Sequence, residues 1–167
     1  MTLLAGAVFS FGAYAADGTI TITGEIIDAG CNINGSGTSP NIPIVLGQIS
    51  KTGFTDAGDT SGAKAFDIRL SSCPSSITGA TVSFSGPADT ANNQILAVTG
   101  GAAGVGVGLY EENATTLIPL GTSSVSKTLT ANAADFRFYA KYVATAAQGG
   151  IKAGQANANA DFTINYN

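Results

Sequence analysis

The sequence predicts an all-β fold of the sandwich type, and three observations carry that prediction. β-branched residues recur in short alternating runs, of which Thr19-Ile20-Thr21-Ile22-Thr23 is the strictest. Turn clusters separate the runs: Asn34-Gly35-Ser36-Gly37, Asp56 to Gly62, Ser85-Gly86-Pro87, Gly100-Gly101 and Gln148-Gly149-Gly150. No segment carries a sustained helical period, and one turn at Ala131 to Ala134 is the only helical candidate.

The first element is the apolar run Leu3 to Phe11, followed by the small-x-small site Ala13-Tyr14-Ala15. This pattern reads as an export signal over residues 1–15, giving a mature chain from Ala16 to Asn167. The run is too short for a membrane span, which needs about 20 apolar residues. No Lys or Arg precedes it and the first basic residue is Lys51, so the charged start of the signal is missing from the sequence. A buried N-terminal strand is the alternative. Next comes an arm over residues 16–28. It places Gly18, Ile20, Ile22, Gly24 and Ile26 on one face and Thr19, Thr21, Thr23 and Glu25 on the other.

The remaining body, residues 29–167, supplies the other strand-like runs. These are Ile42 to Leu46, Ala65 to Leu70, Ala80 to Ser85, Gln94 to Val98 and Val105 to Tyr110. Leu117 to Leu120, Val125 to Leu129, Phe136 to Ala144 and Ala158 to Tyr166 complete the series. Short strands at this spacing fit a single sandwich domain.

Composition narrows the function. Seven basic and eleven acidic residues give a net charge of −4, which argues against a nucleic-acid partner. Charged residues make up 11% of the chain, against about 25% in ordinary soluble domains. The hydrophobic fraction of 44% excludes disorder driven by charge. Cys31 and Cys73 are an even pair in an exported chain, which points to a disulfide, with two buried free thiols as the alternative. They stand too far apart for a C-x-x-C motif, and the absence of histidine removes the usual zinc co-ligand.

The same absence removes the usual base for serine catalysis. Ser61-Gly62-Ala63-Lys64 fits a bare Ser-x-x-Lys spacing, but it lies in a turn cluster with no helix to align the pair. Asp56 and Asp59 lack calcium-loop spacing, and Glu111-Glu112 reads as a solvated hairpin tip. Gly104, Gly106 and Gly108 alternate within a strand, which points to close backbone approach and not to a dinucleotide fingerprint. No enzyme, metal or cofactor is expected.

The C-terminal end alternates as the arm does. Gly154, Ala156, Ala158, Ala160, Phe162, Ile164 and Tyr166 share one face up to the penultimate residue. Open edge strands are usually blunted by charge or proline, and neither end is. Here the chain resembles subunits of chaperone–usher fimbriae, especially type 1-like pilins, from Ala16 to Asn167. The resemblance rests on the arm with Gly24-Glu25-Ile26-Ile27-Asp28-Ala29-Gly30-Cys31, on Leu46-Gly47-Gln48-Ile49 and on Phe66-Asp67-Ile68-Arg69-Leu70-Ser71-Ser72-Cys73. It continues through Val105-Gly106-Val107-Gly108-Leu109 and Tyr139-Ala140-Lys141-Tyr142-Val143-Ala144-Thr145 to Gly154 and Tyr166.

The resemblance implies an incomplete immunoglobulin-like sandwich, completed by a donor strand from a neighbouring subunit. It implies that Gly18, Ile20, Ile22, Gly24 and Ile26 form the donor strand. Gly154, Ala156, Ala158, Ala160, Phe162, Ile164 and Tyr166 would border the acceptor groove and serve chaperone recognition. The implied partners are a periplasmic chaperone, an outer-membrane usher and neighbouring pilins, with a cell-surface fimbria as destination. A secreted single-domain carbohydrate-binding module is the alternative; five tyrosines permit it, while the lack of tryptophan weighs against it.

Overall fold

A computed structural model describes residues 30–35 and 40–167, so the export signal 1–15 and the arm 16–28 lie outside the described residues. Among the described residues eight strands form: β1 (Asn32–Ile33), β2 (Thr60–Ser71), β3 (Gly79–Ser85), β4 (Leu96–Ala97), β5 (Val105–Tyr110), β6 (Lys127–Thr128), β7 (Ala134–Ala144) and β8 (Asp161–Tyr166). They build two antiparallel sheets, one in the order β1-β2-β7-β5-β4 and the other β6-β3-β8. This is the expected all-β, incomplete immunoglobulin-like sandwich. The only helical pieces among the described residues are single 3-10 turns at Lys51–Gly53 and Gln148–Gly150.

Period-two alternation places the core between the sheets. Ile68 and Leu70 of β2 and Phe136 and Phe138 of β7 point inward and are essentially inaccessible, as are Val82 and Phe84 of β3. Phe138 stacks on Phe136 at 6.0 Å and meets the edge of Phe84 at 5.1 Å. Each such side chain contributes about 2–3 kcal/mol by leaving water. A Cys31–Cys73 disulfide, across a sequence separation of 42, ties the start of β1 to the turn after β2. The free-thiol alternative is thereby excluded.

Several elements differ from the sequence reading. Ala131 to Ala134 is not a helical turn. Ala131 and Asn132 have φ of 50° and 59°, so they form a tight hairpin between Thr130 and Ala133. Leu117 to Leu120 contributes one isolated bridge, Leu117 to Tyr110, because the chain turns at once through Pro119. The expected turn Asp56 to Gly62 is shorter, since β2 starts at Thr60 with a bulge between Ser61 and Lys64. Ser61 and Lys64 therefore sit on a bulged strand and not in a loop. Glu111 and Glu112 are not merely a solvated tip. Glu111 Oε1 accepts the Val125 N–H at 2.7 Å, and Glu112 pairs with Lys127 at 3.1 Å.

Gly106 behaves as the alternating glycines suggested. A Cβ there would come within 2.8 Å of the Leu96 carbonyl oxygen, so β4 lies close against β5.

Candidate functional site

The site is built from two extended segments that face each other without pairing. One is β8, whose hydrogen-bonded edge is spent on β3, from Ala80↔Tyr166 to Ser85↔Asp161. The other covers residues 40–47, where Ile42, Ile44 and Leu46 turn inward and Asn41, Pro43 and Val45 turn outward. Among the described residues, residues 40–47 enter no sheet ladder and make no backbone hydrogen bond. The run Ile42 to Leu46 thus alternates in burial as its sequence predicts, but has no strand partner among the described residues. Pro43 contributes to this, having no N–H to donate.

Between the segments runs an apolar groove of about 990 Å³. Its floor is the core itself, with Phe66, Phe84, Val107, Leu109 and Tyr142 lining it. Ala156, Ala158, Ala160, Phe162, Ile164 and Tyr166 all line it, so six of the seven predicted C-terminal residues share one wall. Asp161 is the one acidic or basic residue among the described residues that line it. Tyrosines brace both ends. The Tyr166 hydroxyl accepts the Cys31 N–H at 3.2 Å, and the Tyr142 hydroxyl donates to the Ala156 carbonyl at 3.0 Å.

Gly154 lies apart from the other six. It lines a second, adjoining hollow of about 450 Å³ together with Lys51, Phe54, Ile151 and Lys152. A Cβ at Gly154 would fall 2.5 Å from Ala102 N and Gly101 C, so the close backbone approach demands glycine. The two hollows share Gly47, Tyr142, Ala156 and Asn157 and form one continuous trench.

Sequence reasoning missed the opposite wall, Ile42, Ile44 and Leu46, as part of a site. The signal available was Pro40 and Pro43 around an apolar alternation, which marks an edge. It also missed the two lysines at the end of the trench.

Among the described residues of the trench, no nucleophile stands beside a general base. Asp59 Oδ2 accepts the Thr55 and Asp56 N–H groups at 2.7 and 2.9 Å, bonds that hold its carboxyl below the usual range. It is a turn brace. Burial pushes the Tyr110 phenol up, beneath the Lys141 ammonium 4.6 Å from its ring centre. No cluster of three or more His, Cys, Asp or Glu able to hold a metal occurs among the described residues. What the trench can do is accept an extended, alternating apolar strand.

Comparison with known proteins bears on that geometry. A family model described as Fimbrial protein matches residues 20–167. Long polar fimbria protein A of Salmonella typhimurium is 41% identical over 171 residues, covering 98% of this chain and 93% of that protein. The type-1 fimbrial protein A chain of Salmonella typhi is 37% identical, covering 89% and 82%. Among solved structures, the type I fimbria protein BPSL1626 of Burkholderia pseudomallei superimposes with a TM-score of 0.64 at 36% identity, covering 84% of this chain and 91% of that one. The P pilus rod subunit PapA shares the fold, with a TM-score of 0.68 at 23% identity and coverage of 83% and 100%. The chain belongs to the fimbrial protein family: it is a structural, non-enzymatic subunit, exported through the periplasm into cell-surface fimbriae.

Proposed function

We propose that the trench is an acceptor for the N-terminal arm, residues 16–28, of a neighbouring subunit, and that the filament grows by this strand exchange. The observation that carries the reading is the pair of facing apolar segments, residues 40–47 and β8, each with a backbone edge toward the other that finds no partner among the described residues. An inserted strand satisfies both edges at once. The arm has the required alternation, with Ile20, Ile22 and Ile26 on one face and Gly18 and Gly24 beside them. Burying three isoleucines contributes about 5–9 kcal/mol gross, and each new ladder bond about 1 kcal/mol net. A subunit that donates at one end and accepts at the other makes a contact that does not close, so a filament results.

Before assembly, the same groove is the surface a periplasmic chaperone would cover by lending a strand, with exchange for the arm taking place at an outer-membrane usher. An exposed trench lined by Phe162, Ile164 and Tyr166 is an aggregation hazard, which supports the need for such cover.

Two substitutions test the reading. Ile22→Asp puts a carboxylate on the arm's apolar face, where unpaired burial costs several kcal/mol. The expected result is loss of polymerisation with chaperone co-purification retained. Phe162→Asp is expected to lose both, because it damages the groove itself. Equal loss of chaperone binding in both variants refutes the division into donor and acceptor.

A further inference from the structure

Resting on the donor-strand reading, we infer that Lys51 and Lys152 receive the carboxylate of Asp28 from the incoming arm, and that this pairing steers and speeds insertion. The trench is apolar along most of its length and carries its two ammonium groups only at the Gly154 end. Both lysines are exposed but stand on fixed backbone. Lys152 exchanges two backbone hydrogen bonds with Ala103, at 3.0 and 3.2 Å. Lys51 opens a 3-10 turn capped by Ser50 Oγ.

The arm is the mirror of this layout. Its apolar face runs Gly18, Ile20, Ile22, Gly24, Ile26, and the next residue on that same face is Asp28. An extended arm can lie along β8 in two directions. With Asp28 opposite Gly154 and the strands antiparallel, Ile26 faces Ala156, Ile22 faces Ala160 and Gly18 faces Ile164. Large then meets small at three of the five positions, Gly24 meets Ala158 and Ile20 meets Phe162, and the carboxylate arrives beside the lysines. The reverse direction leaves Asp28 near Ile164 and Tyr166, where no cation lines the groove. Opposite charges at a trench end guide encounter more than they add to final affinity.

The test follows self-assembly of the full-length, disulfide-bonded chain by light scattering. Lys51→Glu/Lys152→Glu and, separately, Asp28→Lys should each slow assembly about five- to tenfold at low salt. Raising the salt to about 0.5 M should slow the wild type comparably and narrow the differences. Combining all three substitutions restores an attractive pair and should recover most of the wild-type rate. Unchanged rates in the variants, or a triple variant no faster than its parents, overturns the pairing. If the lysine variant is found unfolded by denaturation, Asp28→Lys still decides the question. Ile22→Asp separates the two ideas. Should it assemble like the wild type, the donor reading fails. Should it block assembly while the lysine and Asp28 variants behave as wild type, only the pairing fails.

Discussion

The β2–β7 ladder and the β8 wall carry the same kind of sequence, alternating apolar and polar residues, yet end in different states. In the ladder, nine residue pairs run from Thr60↔Val143 to Leu70↔Ala134, and Ile68 and Phe138 are 0% and 1% exposed. On β8, Phe162, Ile164 and Tyr166 face inward equally well but remain half-buried, with nothing among the described residues paired along the far edge. Alternation therefore decides which side of a strand is apolar. It does not decide whether that side is covered. Coverage depends on a neighbouring strand, and beside β8 the chain itself places none among the described residues.

A matched pair of truncations breaks or sharpens this contrast. Phe138→Ala should cost about 3–5 kcal/mol of unfolding free energy, because its cavity is sealed by Phe66, Phe84 and Phe136. Phe162→Ala should cost the free subunit about half as much, since part of that ring already meets water. In assembled filaments its cost should rise toward the core value. Denaturant titration of both variants, free and polymerised, checks the pair; equal costs in the free subunit remove the distinction.

Next in size is the disulfide. Cys31→Ala/Cys73→Ala opens a loop with a sequence separation of 42, worth about 4 kcal/mol in the chain-entropy model. Its loss should be felt mainly on the ladder side, where β1 would detach from β2. Hydrogen exchange should show protection falling at Asn32 and Ile33 while β3 and β8 keep theirs.

The smallest effect is electrostatic and sits on the outer face of the ladder. Arg137 Nε bonds Asp67 at 2.9 Å, and that bond lowers the carboxyl below its ordinary value of 3.8. A lowered folded pKa contributes stability at pH above the unfolded value, lost as pH falls through the folded one. Melting should therefore show a slight acid-side loss below about pH 4 that Asp67→Asn removes, small because the pair is solvated.

Much of this architecture was legible in the chain. Val105–Tyr110 is a strand with the bounds its pattern suggests, and β3 and β7 start within two residues of expectation. Six of the seven C-terminal residues fell on one groove wall because period two is a local property of the backbone. The opposite wall was legible as extended but not as unpaired, since a ladder is made with distant residues. The hairpin at Ala131-Asn132 hid behind alanines, which favour helix, although asparagine tolerates positive φ. Glu111 bracing Val125 is likewise a contact across the fold, with no local mark.

The bond from the Cys31 N–H to the Tyr166 hydroxyl has a mechanical consequence. In the proposed filament, tension drawn through one subunit's arm enters its body at Gly30-Cys31. There the load meets a covalent link to Cys73 and a hydrogen bond to the end of β8. Force is thereby shared between both sheets. The two-residue β1 is never asked to resist peeling on its own.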